Sequence, residues 1–386
     1  MIASDSGADG AQWVLQLCHG YDGPFMDCAR QYAALFKDTE YKVCTVYLTG
    51  AASEEVRRGS ASDDVVFLDY SSRQLRGLKL GAITAVRRLA AARAYQLCIA
   101  HRFKPTYVAL LATSLPVIGI QHAFDVYRKR SRQLLANLFR ERLFLLCVSD
   151  AVRDDVRSCL RSWSSRRIET LYNRIDVRAV QADQLERSEA RAVLGLREDG
   201  WIVGNVGRLH SDKDQATLIN GFALALPALP SQSLLVIIGT GKLEADLKRL
   251  AICLGIAERV VFLGQVPQAR RYFKAFDAFA LTSDNEPFGM VLLEAMAADL
   301  HLICSDCGGA PEVMGDCGQL FSFGDEAALA SCLIEAARIS GQELKIYQRD
   351  MRRKLDAVFS DQAVRETFWA MRECWGSVHS QVNKNR

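Results

Sequence analysis

The sequence has no long hydrophobic segment and no secretion signal. Although 49% of its 386 residues are hydrophobic, no apolar run reaches the ~18 residues that a membrane-spanning helix needs. The first ten residues lack the basic region and the apolar stretch of a signal peptide. We therefore expect a cytoplasmic protein that is at most peripheral on the inner face of the cytoplasmic membrane.

Metal-binding patterns are also scarce. Cys304 and Cys307 form a Cys-x-x-Cys pair, with Cys317 further along, but no second pair or histidine cluster follows to complete a zinc site. The 12 cysteines lack the dense, even spacing of a secreted disulfide scaffold. No Asp-x-Asp triplet stands at the end of a predicted strand. The sequence therefore predicts reduced cysteines and no bound metal.

The chain is long enough for two domains with full cores. Short apolar runs alternate with amphipathic segments, which predicts a parallel α/β sheet in each half. The predicted strands are 13–18, 43–48, 65–68, 96–99, 117–121, 143–148, 167–171, 201–206, 234–238, 260–263, 278–281, 301–304 and 319–322. The predicted helices of the second half are 213–226, 242–254, 268–276, 287–297 and 325–338. A polar passage at 174–198 is expected to contain the hinge.

Positive charge is concentrated in the first half. Residues 1–176 hold 25 Lys/Arg against 18 Asp/Glu (+7), and residues 177–386 hold 23 against 27 (−4). A basic first half can bind an anionic acceptor or a membrane surface. Solvated basic helices explain the excess of positive charge equally well. Within 128–142, arginines surround Leu134, Leu135, Leu138 and Phe139. This helix can lie on anionic lipid, hold a phosphorylated acceptor or pack into the core, and core packing is slightly favoured.

Within residues 283–294, the carboxylates of Glu286 and Glu294 stand eight positions apart. Pro287 suits the first turn of a helix, with residues 283–285 as candidate caps. On one helix the two carboxylates would lie roughly 80° apart in projection and about 12 Å apart along the axis, so that they could touch opposite ends of one ligand. An ordinary capped helix with two solvated acids explains the spacing as well.

The free amides of this predicted helix are a second candidate contact. Those of Phe288, Gly289 and Met290 would point at an anion or at sugar oxygens, as the N-terminus of a helix can.

Arg208 and Lys213 follow the strand predicted at 201–206. Ligands of open α/β sheets bind outside such carboxyl ends of strands. A fixed arginine and lysine there would stabilise the charge that develops on a departing diphosphate. Either residue alone could be a surface charge that caps a helix. The combination of Arg208 and Lys213 with the two glutamates favours a ligand-binding site. Gly239 and Gly241 form a glycine turn after the next strand.

These segments resemble retaining GT-B glycosyltransferases of the family 4 type, over about 200–335. Glu286 and Glu294 match the family's E-x7-E signature, and Gly207, Arg208 and Lys213 match its Gly-Arg-Leu loop with a following lysine. The resemblance implies that Glu286 and the amides after it hold the donor sugar, and that Glu294 holds the ribose hydroxyls. It also implies that the glycine turn of Gly239 and Gly241 lies at the donor.

The first half resembles the family less closely. Gly20 stands in the loop after the first strand, where the family has a glycine-containing loop near the donor phosphates, but no Gly-Gly pair is present. His122 matches a family histidine that faces the donor sugar, so we expect it at the site, and His101 is a weaker candidate. Arg174 stands where the family has a glycine, which favours a different local backbone because arginine adopts positive φ only at a cost.

The resemblance implies a GT-B α/β fold, with two Rossmann-like doubly wound domains that face a cleft. The expected domains are an N-terminal acceptor-side domain (1–177), a nucleotide-sugar-binding domain (178–358) and a C-terminal helix that packs back on the first domain (359–386). The catalytic residues would be Arg208, Lys213, Glu286 and His122.

The implied reaction is sugar transfer, with retention, to a hydroxyl of a cell-envelope glycan or glycolipid, with lipopolysaccharide core as the first choice. The expected donor is a UDP- or GDP-sugar, and neither a cofactor nor a metal is required. Contact with an anionic membrane is expected as a peripheral partner interaction, and a nucleic-acid partner is not. The alternatives are a sugar-nucleotide epimerase or hydrolase of the same fold, and a non-catalytic subunit that binds sugar nucleotides.

Overall fold

The computed structural model describes residues 11–23 and 25–373, which form two compact units. The first unit runs to Asn173 and takes up again at Arg365, and the second runs from Arg174 to Val364. Two expectations lie outside the described residues. They are the absence of a signal peptide at residues 1–10 and the part of the predicted C-terminal helix beyond residue 373.

The first unit is built on a seven-stranded parallel sheet. Its strands are β1 (Gln12–Cys18), β2 (Tyr41–Tyr47), β3 (Asp64–Phe67), β4 (Tyr95–His101), β5 (Val117–Gln121), β6 (Leu143–Cys147) and β7 (Ile168–Thr170). Its helices are α1 (Phe25–Ala33), α2 (Glu54–Gly59), α3 (Leu80–Ala91), α4 (Phe103–Ala112), α5 (Arg130–Leu138) and α6 (Asp150–Cys159). The strand order is β3-β2-β1-β4-β5-β6-β7. It reverses between β1 and β4, and the crevice at such a switch point is where open α/β sheets bind ligands.

The second unit has a six-stranded parallel sheet. Its strands are β8 (Ile202–Val206), β9 (Leu234–Ile238), β10 (Val260–Gly264), β11 (Ala278–Leu281), β12 (His301–Ser305) and β13 (Gly318–Phe321). The helices that follow β7 in the chain are α7 (Val177–Asp183), α8 (Arg187–Val193), α9 (Gln215–Ala225), α10 (Glu244–Cys253), α11 (Met290–Ala297), α12 (Ala310–Met314), α13 (Glu326–Arg338), α14 (Gly341–Lys354) and α15 (Asp361–Ala370). The order β10-β9-β8-β11-β12-β13 places the switch point between β8 and β11.

The predicted α/β class is confirmed, and every predicted strand corresponds to an observed one. Two predicted helices differ from the structure. The segment predicted as a helix at 268–276 forms a 3₁₀ helix at Ala269–Ala275. The helix predicted from Pro287 begins only at Met290, because Gly289 has φ +94° and a helix cannot pass through that conformation.

The end of α15 packs within the first unit. Phe368 is fully buried and meets Phe36 edge-on at 5.6 Å between ring centroids. The indole N–H of Trp369 donates to the carbonyl of Leu35 at 3.0 Å. In the second unit, Arg174 is buried and pairs with Asp361 at the start of the same helix. None of the helices within residues 11–23 and 25–373 has the length and apolar character that crossing a bilayer takes.

Helix α5 places two leucines in solvent. Leu134 is 70% exposed and Leu138 is 75% exposed, whereas Ala136 is buried. The favoured interpretation, in which the apolar face of this helix packs into the core, is therefore wrong for these two residues. Residues four apart share a helix face, so Leu134 and Leu138 form one apolar stripe that faces outward.

A buried arginine ties α8 to the loop before β11. Arg191 is 1% exposed, and its Nη2 lies 2.9 Å from Oδ2 of Asp277. Its Nε donates to the carbonyl of Ala275 at 2.8 Å, and its Nη1 donates to the carbonyl of Gly200 at 3.1 Å. Because these acceptors replace the water that the guanidinium loses, the charge can stay buried.

The substitution Arg191→Ala should lower the free energy of unfolding by about 3–5 kcal/mol, because it removes the buried partner of the ion pair and leaves the carbonyls of Ala275 and Gly200 without their donor. Arg187 is the matched control, since it contacts the other oxygen of Asp277 at 2.7 Å but is 46% exposed. Arg187→Ala should cost at most about 1 kcal/mol. Denaturant unfolding measures both, and equal losses in the two variants would contradict the structural role of Arg191.

Candidate active site

An ion pair joins the two loops at the switch point of the second unit. Lys213 lies in the loop after β8, and Glu286 lies in the loop after β11. The Nζ atom of Lys213 contacts Oε2 of Glu286, and the two side chains are only 19% and 14% exposed. The hydroxyl of Ser283 donates to the same carboxylate oxygen at 3.3 Å. The structure thus brings together two predicted site residues that are 73 positions apart in the chain.

Buried polar residues after β11 hold this loop in place. The hydroxyl of Thr282 donates to the carbonyl of Lys213 at 2.9 Å, and the amide of Asp284 donates to the carbonyl of Asp212 at 3.2 Å. The hydroxyl of Ser305 donates to the carbonyl of Ser283 at 2.6 Å. Ser283 and Asp284 were predicted only as helix caps, and Thr282 and Ser305 were not predicted. The available signal was the polar Thr282-Ser283 pair directly after an apolar strand.

Arg208 lies in the same loop as Lys213 and pairs with Asp212, the residue directly before Lys213. Its Nη2 lies 3.3 Å from Oδ2 of Asp212, while 74% of its side chain is exposed. Partial burial would raise the pKa of Asp212, but the contact with His210 and the charges of Lys213 and Arg208 outweigh burial and lower it. Asp212 therefore stays ionised and holds one end of the guanidinium. Within the part of the chain that the structure describes, no other acceptor contacts the guanidinium of Arg208, so its remaining N–H groups are open to a ligand.

Two of the predicted donor-binding glycines, Gly239 and Gly241, have packing roles. A Cβ on Gly239 would lie 1.9 Å from the carbonyl oxygen of Gly207, and one on Gly241 would lie 2.2 Å from that of Leu209. The loops after β8 and β9 can approach this closely only without these side chains. By contrast, the nearest atom to a Cβ on Gly207 is 3.9 Å away, on Lys213. The packing explains Gly239 and Gly241 without a ligand, and donor binding by the three glycines stays a prediction.

The turn between Glu286 and α11 differs from the predicted helix. Glu286 precedes the helix, so the premise of the expected separation of 80° and 12 Å, that both glutamates lie on one helix, is wrong. Its carbonyl accepts the amide of Gly309 at 2.7 Å, and a Cβ on Gly308 would lie 2.3 Å from the same oxygen. The side chain of Phe288 is buried and meets Phe359 at 5.8 Å.

Helix α11 begins directly after this turn. Its first backbone N–H groups, those of Met290 and Val291, have no acceptor within the helix, because no helical turn precedes them. They give the N-terminus of α11 a partial positive charge. Glu294 lies one turn further along and is half-buried. The start of α11 and Glu286 are adjacent, since a Cβ on Gly289 would lie 3.5 Å from Cγ of Glu286.

Gly20 and His122 belong to the first unit. Gly20 is buried, and a Cβ there would lie 2.6 Å from Oγ1 of Thr49. The Nε2 atom of His122 lies 3.3 Å from Nδ1 of His101, and the two rings stack at 5.5 Å. Burial, reinforced by Arg102, lowers the pKa of His122 to about 4. Burial also lowers the pKa of His101 well below its usual value, with further contributions from His122 and Arg102. Both imidazoles are therefore neutral at pH 7.

Two doubly wound parallel sheets, with the predicted charged residues gathered at the switch point of the second, define a GT-B α/β protein. The family comparisons agree. A model described as Glycosyltransferase Family 4 matches residues 28–179, and one described as Glycosyl transferases group 1 matches residues 186–351. The chain belongs to the family 4 type of GT-B glycosyltransferases, as its resemblance predicts.

Curated relatives match only parts of the chain. One is the N-acetylgalactosamine-N,N'-diacetylbacillosaminyl-diphospho-undecaprenol 4-alpha-N-acetylgalactosaminyltransferase of Campylobacter jejuni, which is 30% identical over 226 residues. That match covers 55% of this chain and 58% of the relative. Across three of the curated relatives, the chain spans between 38% and 59% of their length.

Solved structures match over nearly the full length. Alr3699/HepE from Anabaena, in complex with UDP-glucose, has a TM-score of 0.75 at 20% identity. The match covers 95% of this chain and 99% of the Alr3699/HepE chain. The lipopolysaccharide outer core galactosyltransferase WaaB, in its apo form, has a TM-score of 0.66 at 18% identity. That match covers 94% of this chain and 98% of WaaB. At these identities the comparisons establish the shared fold.

Proposed function

We propose that the protein is a retaining glycosyltransferase that moves a sugar from a nucleoside diphosphate to a hydroxyl of a cell-envelope glycan or glycolipid. The observation that carries the proposal is the Lys213–Glu286 ion pair at the switch point of the second unit, with Arg208 in the same loop as Lys213. Charged groups of both signs at this position suit a ligand with a phosphate end and a hydroxyl-rich end.

Each residue has a role that follows from its charge. Arg208 and Lys213 would balance the negative charge that grows on the β-phosphate as the glycosidic bond breaks. Glu286 would accept hydrogen bonds from hydroxyls of the donor sugar and position the ammonium of Lys213. Glu294 would hold the ribose hydroxyls, and the first amides of α11 would face oxygen atoms of the donor. With two cations in place, the proposed reaction needs neither a bound metal nor a cofactor.

Retention follows if departure and attack occur on one face of the sugar. The bond from the anomeric carbon to the β-phosphate oxygen breaks, and the acceptor oxygen bonds to that carbon from the same side. The acceptor proton passes to the departing phosphate oxygen. Glu286 is already engaged by Lys213 and Ser283, which suits a positioning carboxylate better than a nucleophile.

The comparisons support the choice of substrates. The bound UDP-glucose of Alr3699/HepE supports a UDP-sugar as the first donor to test, with a GDP-sugar as the second. The relative from Campylobacter is named for a diphospho-undecaprenol-linked glycan, and WaaB is named for lipopolysaccharide outer core. We propose an envelope glycolipid as the acceptor, with lipopolysaccharide core as the first candidate.

Lys213→Ala should reduce turnover by a factor on the order of 10²–10³ while the circular dichroism spectrum stays unchanged, because the variant loses a fixed charge at the leaving group. Lys248→Ala is the matched control, since Lys248 also pairs with a glutamate, Glu244, at 2.7 Å, but in a surface pair on α10. The control should retain turnover. Near-normal turnover in Lys213→Ala would overturn the role given to Lys213.

The assay also separates the proposed activity from its alternatives. Donor consumption is measured over a panel of UDP- and GDP-sugars, with and without bacterial envelope extract. A transferase consumes donor only with the extract, and an epimerase or hydrolase consumes it without. A binding subunit consumes none in either arm.

The exposed stripe of α5 supports a second contact, with an anionic membrane. Leu134 and Leu138 face solvent. Arg128 and Arg140, just beyond the two ends of the helix, have side chains that are 77% and 59% exposed and form only surface ion pairs, with Asp125 and Glu141. Apolar residues flanked by arginines suit the boundary between acyl chains and anionic headgroups. We propose that α5 docks on the membrane that carries the acceptor.

Combined substitution of Leu134 and Leu138 by glutamate should reduce co-sedimentation with phosphatidylglycerol-containing vesicles at least severalfold, because the stripe loses its apolar surface and gains negative charge. Leu224→Glu is the control, since Leu224 is 56% exposed on the second unit. It should bind vesicles like the unsubstituted protein. Equal binding by all three proteins would rule out α5 as the contact.

A further inference from the structure

A second candidate site lies at the switch point of the first unit. A cavity of about 260 Å³ opens beside the ends of β4 and β5, and its lining includes His19, Arg102, Lys104, Gln121, His122 and Arg132. None of the described residues that line it is acidic. Its volume lies below the roughly 300–1,000 Å³ of pockets for drug-sized ligands, which suits one small charged group.

The positive charges around the cavity are not neutralised. Among the described residues, neither Arg102, Lys104 nor Arg132 forms an ion pair with a carboxylate. Aromatic rings hold the two guanidinium groups instead, with Arg102 3.7 Å from the ring centroid of Phe25 and Arg132 4.6 Å from that of Phe103. A cation held over an aromatic face keeps its full charge, so the cavity has an excess of positive charge.

The N-terminus of α4 adds to this charge. Phe103 and Lys104 are its first residues and line the cavity. Because no helical turn precedes them, their backbone N–H groups have no acceptor within the helix. Arg102 precedes them at φ +72° and ψ +168°. This region is populated almost only by glycine, and another residue held there costs on the order of 1–3 kcal/mol. Such strain is typical of functional sites.

Gln121 provides an independent observation. Its side chain is fully buried at the end of β5 and lines the cavity. Neither its Oε1 nor its Nε2 has a hydrogen-bond partner among the described residues. A buried amide without partners is costly and calls for an explanation. A ligand in the cavity would supply the missing partners.

The imidazoles do not carry the charge of this cavity. Burial lowers the pKa of His19, and the charges of Lys104 and Arg102 lower it further. His122 and His101 are also neutral at pH 7, as described above. The net charge that a ligand meets therefore comes from the arginines, from Lys104 and from the helix end.

We propose that this cavity binds a phosphate group of the acceptor. The assignment to the acceptor rests on the proposed transferase function, whereas the preference for phosphate rests on the cavity alone. Three cations and two amides offer more donors than the two oxygens of a carboxylate can use, and they match the several oxygens of a phosphate. The phosphate can belong to a soluble phosphorylated sugar or to a lipid headgroup.

Calorimetric titration of the full chain with inorganic phosphate, at constant ionic strength, tests the cavity. Saturating UDP is present so that Arg208 and Lys213 are occupied, and the titration is repeated without UDP in Lys213→Ala. Lys104→Gln should weaken phosphate binding about tenfold or more, because a charge-assisted contact is lost. Arg88→Gln, at an exposed arginine on α3, should bind as the unsubstituted chain does.

The outcomes separate this inference from the proposed function. Absence of phosphate binding, or equal binding by Lys104→Gln and the unsubstituted chain, would overturn the cavity assignment even if UDP binds. Phosphate binding that depends on Lys104 in a chain that binds no sugar nucleotide would leave the site standing and remove its assignment to an acceptor. Titration with glycerol 3-phosphate and with phosphatidylcholine vesicles containing phosphatidic acid tells the soluble source from the lipid one.

Discussion

The contact between Lys213 and Glu286 is the constraint on which the candidate donor site depends. Both side chains are largely withdrawn from water, and a half-buried charge without its partner is strongly unfavourable. The pair therefore fixes the loops after β8 and β11 relative to each other before any ligand arrives. Preorganised charges of this kind need no rearrangement when negative charge develops on a leaving group.

The two units use the same topological feature in different ways. In the second unit, the charges at the switch point are paired, and glycines let the neighbouring loops approach closely. In the first unit, Arg102 and Arg132 lie over aromatic rings, and no side chain caps the N-terminus of α4. Positive charge therefore stays available to a ligand. This difference suits a donor that brings both phosphate and hydroxyl groups to one unit, and an acceptor phosphate that binds the other.

The sequence predicted the strands and the main charged residues because both depend on local patterns. Alternating apolar runs located the sheets, and the ends of strands located Arg208 and Lys213. The start of α11 was missed because the left-handed conformation of Gly289 is set by the packing of its turn. The spacing of Leu134 and Leu138 defined a helix face but not which way it points. The contact of Ser305 with Ser283 and the cavity around Gln121 were not predicted, because they depend on contacts between distant segments.

A double-mutant cycle on donor binding tests the central claim most directly. The affinity for the preferred sugar nucleotide is measured by calorimetry for the unsubstituted chain, for Lys213→Ala, for Glu286→Gln and for the double variant. If the two side chains act as one unit, the double variant loses little more than either single variant, with a coupling of about 1 kcal/mol or more. Losses that add independently, or no loss in any variant, would contradict the account.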